Sequence, residues 1–122
     1  MPSSALVSIV DDDESVRESI ESLIRSVGYK AQTFDSAERF LQSKQLQSTG
    51  CLILDLRLPG MSGLELQHQL SVANYKIPII FITAHGNGGE RTQALNAGAI
   101  DFLYKPFSEE ALLKAVNTAL RR

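Results

Sequence analysis

The chain has 122 residues, 43% of them hydrophobic and 21% charged, which fits one soluble globular domain and excludes disordered, collagenous and low-complexity readings. Twelve basic and fourteen acidic side chains leave a net charge of −2, so a strongly basic grip on nucleic acid is not expected of this segment. The single cysteine, Cys51, rules out an internal disulfide framework. No apolar run approaches the ~18 residues of a membrane helix. The N-terminal Met1-Pro2-Ser3-Ser4-Ala5 lacks the basic and apolar regions of a secretory signal. A reducing cytoplasmic setting is the expectation.

Two hydrophobic periods alternate along the chain. Leu6-Val7-Ser8-Ile9-Val10 is a short β-branched run and predicts a buried strand. Asp11-Asp12-Asp13-Glu14 follow. Val16, Ile20, Leu23, Ile24 and Val27 then mark one face of a helix, with Gly28 as its stop. For Asp13 and Glu14 the position at a helix start is explanation enough. Lys30 to Phe34 predicts a weaker strand whose Lys30, Gln32 and Thr33 suit a sheet edge. Ser36 caps a helix running to about Ser43, with Ala37, Phe40 and Leu41 inward.

Cys51 to Leu54 predicts a third strand ending at Asp55, and Pro59-Gly60 breaks the chain after it. Ser62-Gly63-Leu64-Glu65 matches a capping box, opening a helix with Leu66 and Leu70 on its apolar side. Pro78 to Ile82 is the fourth strand, followed by the glycine-rich His85-Gly86-Asn87-Gly88-Gly89. Glu90 to Ala97 predicts a short helix closed by Gly98, and Asp101 to Tyr104 the fifth strand. Beyond Pro106, Ser108 caps a last helix with Leu112, Leu113, Val116 and Leu120 as its stripe. Five strands alternating with five helices predict an α/β fold: a doubly wound parallel sheet covered on both faces.

In such sheets ligands bind beyond the carboxyl ends of the strands, where strand order reverses. Those ends deliver Asp11 and Asp12, Asp55, Thr83 and Lys105 to one crevice. A carboxylate pair about 4 Å apart repels by roughly 4 kcal/mol at an effective dielectric near 20, so three acids together call for a cation. Oxygen-only ligands favour a hard ion, Mg²⁺ or alternatively Mn²⁺. A lysine and a threonine opposite it suit the oxygens of a phosphoryl group, and an aspartate beside the ion can be the nucleophile.

Val10-Asp11-Asp12, the run Asp55-Leu56-Arg57-Leu58-Pro59-Gly60-Met61-Ser62-Gly63, Ile82-Thr83-Ala84 and Lys105-Pro106-Phe107 together resemble the receiver domain of two-component response regulators, CheY-like in fold, over essentially the whole chain. Ala37-Glu38, Ala84-His85-Gly86, Ala97-Gly98-Ala99 and Asp101-Phe102 are most similar to its FixJ-type subfamily. The resemblance implies a flavodoxin-like five-stranded sheet in the order 2-1-3-4-5, with residues 1–122 forming one receiver domain and no output domain following Arg121-Arg122.

It also implies roles. Asp55 is the phosphoacceptor. Asp12, Asp55 and the backbone carbonyl of Arg57 hold Mg²⁺ directly, and Asp11 acts mainly through a metal-bound water. Thr83 moves to hydrogen-bond the phosphoryl group, Lys105 pairs with it, and a cis Lys105-Pro106 bond aims the lysine inward. Phe102 is the switching aromatic, though core packing alone also accounts for it, and small Ala84 leaves the phosphate open to water. The implied partners are a sensor histidine kinase, and a second copy met through helix four and strand five after phosphorylation. DNA is reached only through a linked output domain. Phosphorylation and dephosphorylation are Mg²⁺-dependent reactions of the switch on itself, not turnover of a substrate.

Asn87-Gly88-Gly89 departs from the Asp-Val-Pro frequent in FixJ-type receivers and leaves the loop and the partner surface open. Tyr104 reads as a surface or partner-facing residue, Cys51 as a small buried hydrophobe, and His68 and His85 lack the spaced companions of a transition-metal site. Competing readings are an aspartate-nucleophile phosphohydrolase and a non-phosphorylated interaction module. The first expects an acid where Arg57 stands; the second usually lacks one of the acids or the lysine. A dinucleotide binder is disfavoured because no Gly-x-Gly-x-x-Gly follows strand one.

Overall fold

The computed structural model describes residues 5–121. Its elements are β1 (Leu6–Val10), α1 (Glu14–Ser26), β2 (Lys30–Phe34), α2 (Ala37–Leu41), β3 (Thr49–Asp55), α3 (Gly63–Val72), β4 (Ile79–Thr83), α4 (Gly88–Asn96), β5 (Asp101–Tyr104) and α5 (Glu109–Leu120). The strands form one sheet in the order β2-β1-β3-β4-β5, and every pairing is parallel. This is the five-stranded, flavodoxin-like fold expected. The order reverses between β1 and β3, so the crevice opens where Asp11 and Asp12 face Asp55.

Strand alternation builds two cores, one on each side of the sheet. Leu52 and Leu54 of β3 join Val10, Phe40, Leu66, Leu70, Phe81 and Phe102 on one face. Cys51 and Ile53 join Val7, Ile9, Ile20, Ile24, Ile80, Ile82, Leu112 and Val116 on the other. Cys51 is thus a buried wall residue, and burial pushes its thiol up to about 12.

Local chemistry sets the ends of the helices. Asp13 caps α1, its carboxylate accepting from the Ser15 and Val16 amides. The Ser15 hydroxyl, then those amides, hold its pKa below the ordinary value. Ser62 and Glu65 close a capping box on α3, and Ser36 and Ser108 cap α2 and α5. Gly28 and Gly98 take φ of 95° and 105° just past α1 and α4, the left-handed positions that end a helix.

Several boundaries differ from the sequence reading. β3 starts two residues earlier, at Thr49, because this residue is in register with Leu6 and its hydroxyl bonds Ser8 at 2.7 Å. α2 stops at Leu41, and the turns after it bury Leu46. Pro78 lies outside β4 but serves the sheet through its carbonyl, which accepts from the Leu52 amide. α4 begins at Gly88, not Glu90, because Asn87 is an N-cap. Val27 sits at the C-cap of α1, 47% exposed, rather than in the core.

Candidate functional site

Each residue of the crevice is placed by the end of a strand. Asp11 follows β1 and is fully buried. Its Oδ1 accepts from the Asp13 amide at 2.9 Å, and its own carbonyl accepts from Arg17 Nη1 at 2.8 Å, one turn into α1. Asp12 is exposed beside it. Asp55 ends β3 and is 5% exposed, with Oδ1 accepting from the Arg57 amide at 3.2 Å. One carboxylate oxygen from each of Asp11, Asp12 and Asp55 lies within 4.8 Å of the others.

Lys105 follows β5, across a cis bond to Pro106. Its Nζ donates to Asp11 Oδ2 at 2.9 Å and stands 3.5 Å from Asp55 Oδ2. Two of the three carboxylates, Asp11 and Asp55, therefore share one ammonium. Burial, then the charge of Asp11, pushes the Asp55 carboxyl up to about 6 against the pull of Lys105. For Lys105, burial works against the charged form, but the bond to Asp11 and the charges of Asp11 and Asp55 more than reverse it, so its pKa is raised. The donor set is all oxygen, partly buried and short of positive charge. That composition fits a hard divalent ion such as Mg²⁺.

Thr83, at the end of β4, is fully buried. Its Oγ1 accepts from the His85 amide at 3.1 Å, and its carbonyl accepts from the Lys105 amide at 2.7 Å. Phe102 is 4% exposed, its ring 6.0 Å from Phe81 and 5.4 Å edge-on from Tyr104, which is 44% exposed. Gly86 links the two candidate switch residues. A Cβ there would stand 2.9 Å from the Thr83 methyl and 3.2 Å from the Phe102 ring.

Other contacts were not read from the sequence. The Arg57 side chain crosses the crevice rim, with Nε donating to the His85 carbonyl at 2.9 Å and Nη2 to Glu90 Oε1 at 2.8 Å. The same Glu90 oxygen accepts from the Asn87 amide, closing a capping box on α4. The Asn87-x-x-Glu90 spacing was the available signal for that box. Glu38 of α2 accepts from the Met61 amide at 2.9 Å, tying down the loop beyond Asp55, and that bond lowers its carboxyl pKa. Arg17 could have been sought one helical turn beyond Asp11.

Residues 7–117 match the family described as the response regulator receiver domain. The response regulator protein TmoT of Ectopseudomonas mendocina is 49% identical over 96% of this chain and 53% of its own length. The solved structure of the response regulator StyR superposes with a TM-score of 0.90 at 51% identity, covering 97% of this chain and 60% of that one. The structure titled FixJ-N gives a TM-score of 0.87 at 37% identity, covering 97% and 94%. The chain spans about half the length of the curated relatives it matches. Fold, strand-end acids and these likenesses agree: the chain belongs to the receiver domain family of two-component response regulators, and within it is FixJ-type.

Proposed function

We propose that this domain is a phosphorylation switch whose acceptor is Asp55. A carboxylate oxygen of Asp55 attacks the phosphorus of a phosphohistidine on a sensor kinase. The new P–O bond forms as the P–N bond breaks, and the electron pair leaves on the imidazole, which takes up a proton. Asp11, Asp12, Asp55 and the Arg57 carbonyl are the residues that would hold Mg²⁺, with Asp11 acting mainly through a water. When bound, the ion supplies charge neutralisation for the carboxylates and the transferring oxygens. Lys105, already between Asp11 and Asp55, gives a phosphoryl oxygen its ammonium.

The observation that carries this reading is the position of Lys105 Nζ, 2.9 Å from Asp11 and 3.5 Å from Asp55, inside a three-carboxylate cluster. A phosphohydrolase is not favoured, since Arg57 occupies the place of its second acid and its side chain is turned to Glu90.

Loss of the Thr83 bond to His85 in favour of the phosphoryl group would loosen the loop that Gly86 rests on Phe102. The face of α4, β5 and α5 then changes, a local charge event biasing a two-state element. Relatives named transcriptional regulatory proteins support a transcriptional output, with the altered face serving a homodimer and DNA met by a further domain. The test is incubation with a small acyl phosphate and Mg²⁺ followed by intact mass. One phosphoryl adduct is expected, and it disappears in Asp55→Asn. An adduct that survives that substitution removes Asp55 as the acceptor.

A further inference from the structure

α4 is weakly seated. Its sole buried residue is Ala94, and it opens with Gly88 and Gly89, poor helix formers. Apolar packing therefore does little to hold it. Polar bonds hold it instead, one near each end. Near its end, the buried Gln67 of α3 donates from Nε2 to the Ala94 carbonyl at 3.0 Å. At its start, Glu90 Oε1 takes both the Asn87 amide and the guanidinium of Arg57. Arg57 belongs to the loop of Asp55, and its amide bonds that carboxylate. A single oxygen thus joins the cap of α4 to the loop of the acceptor.

We propose that Glu90 is a positioning residue for the phosphorylation switch: paired with Arg57, it latches the start of α4 to the Asp55 loop in the unmodified protein. The inference rests on Asp55 being the acceptor. A phosphoryl group there carries about −1.5 to −2 charges and three strong acceptor oxygens, a better partner for a nearby guanidinium than the Glu90 carboxylate. Modification draws Arg57 off Glu90, and α4 keeps only its own cap and the Gln67 bond. Coupling is reciprocal, so whatever opens the latch also favours the phosphorylated form.

Glu90→Gln keeps an oxygen for the Asn87 amide while removing the charge that Arg57 meets. The first measurement is amide hydrogen exchange of α4 without any phosphoryl donor, in wild type, Glu90→Gln, Arg57→Gln and the double variant. Exchange in Glu90→Gln rises about two- to fivefold, the range of an exposed ion pair, and most of that rise is lost in the Arg57→Gln background. An equal rise in both backgrounds assigns the effect to the helix dipole alone and overturns the latch, as does no rise. The second measurement is binding of beryllofluoride, a phosphoryl mimic, with Mg²⁺. Glu90→Gln tightens it by a similar factor, and unchanged affinity overturns the coupling. If wild type binds no beryllofluoride, Asp55 as acceptor fails and the coupling with it, while the exchange cycle still decides the latch.

Discussion

Lys105 is hydrogen-bonded to Asp11 at 2.9 Å and only approaches Asp55, at 3.5 Å. Asp11 is thereby paired, and Asp55, the proposed acceptor, keeps a larger share of its carboxylate unpaired. Breaking a buried pair by removing one partner usually costs about 3–5 kcal/mol, and partial exposure of Lys105 reduces this. Lys105→Met is expected to lose about 2 kcal/mol of stability in EDTA, and millimolar Mg²⁺ to recover most of it. Urea denaturation with and without the ion measures both. Equal stability of variant and wild type in EDTA contradicts the pairing.

The raised pKa of Asp55 gives stability a direction in pH. Its folded value near 6 exceeds the ordinary 3.8, so the folded state holds the proton more tightly than the unfolded chain. The carboxylate's penalty is in full force above pH 6 and fades as pH falls through 6 toward 4. The ion-free protein should therefore gain about 1 kcal/mol between pH 7.5 and pH 5, an order-of-magnitude figure from the size of the shift, reduced for the part of the carboxylate that solvent screens. Asp55→Asn flattens the profile, and saturating Mg²⁺ does the same. Lys105 adds nothing in this window, since its raised pKa matters only as pH rises above 10. Stability falling from pH 7.5 to 5 in EDTA is the opposite sign and rejects the account.

A cation that binds only the folded state stabilises it by about 1.4 kcal/mol at ten times its Kd. Mg²⁺ should raise Tm accordingly. Asp12→Ala removes one of three repelling acids, so it is expected to raise Tm in EDTA while blunting the response to Mg²⁺. Melting curves of both proteins across a Mg²⁺ titration separate the two effects.

Gly86→Ala tests the link between Thr83 and Phe102. The new methyl meets the Thr83 side chain and the Phe102 ring together. A loss of about 1–2 kcal/mol is expected from this crowding. The same change made on Phe102→Ala costs less, because half of the obstruction is gone. A cost unchanged in that background places the strain elsewhere.

The strand-end acids, Thr83 and Lys105 were legible because each stands at the end of an apolar run, whereas the strand order came through the family resemblance that those motifs carry. β3 shows why: Leu52 and Leu54 face one core, Cys51 and Ile53 the other, so Asp55 stands out as the one charged residue at the buried carboxyl end of an apolar run. The Arg57–Glu90 bridge was hidden, because two charged residues 33 apart carry no periodicity that marks them as neighbours. The two glycines before Glu90 concealed the true start of α4, where the Asn87 cap outweighs poor helix propensity. Arg17 lies off the apolar stripe of α1, and its guanidinium reaches back to the Asp11 carbonyl.

Cys51 to Asp55 are all buried, in a strand paired along both edges, while the neighbouring α4 shelters little beyond Ala94. A disturbance at the tip of so stiff a beam finds nowhere to dissipate along it. A change of charge there is therefore expected to displace the lightly packed α4 more readily than the strand itself.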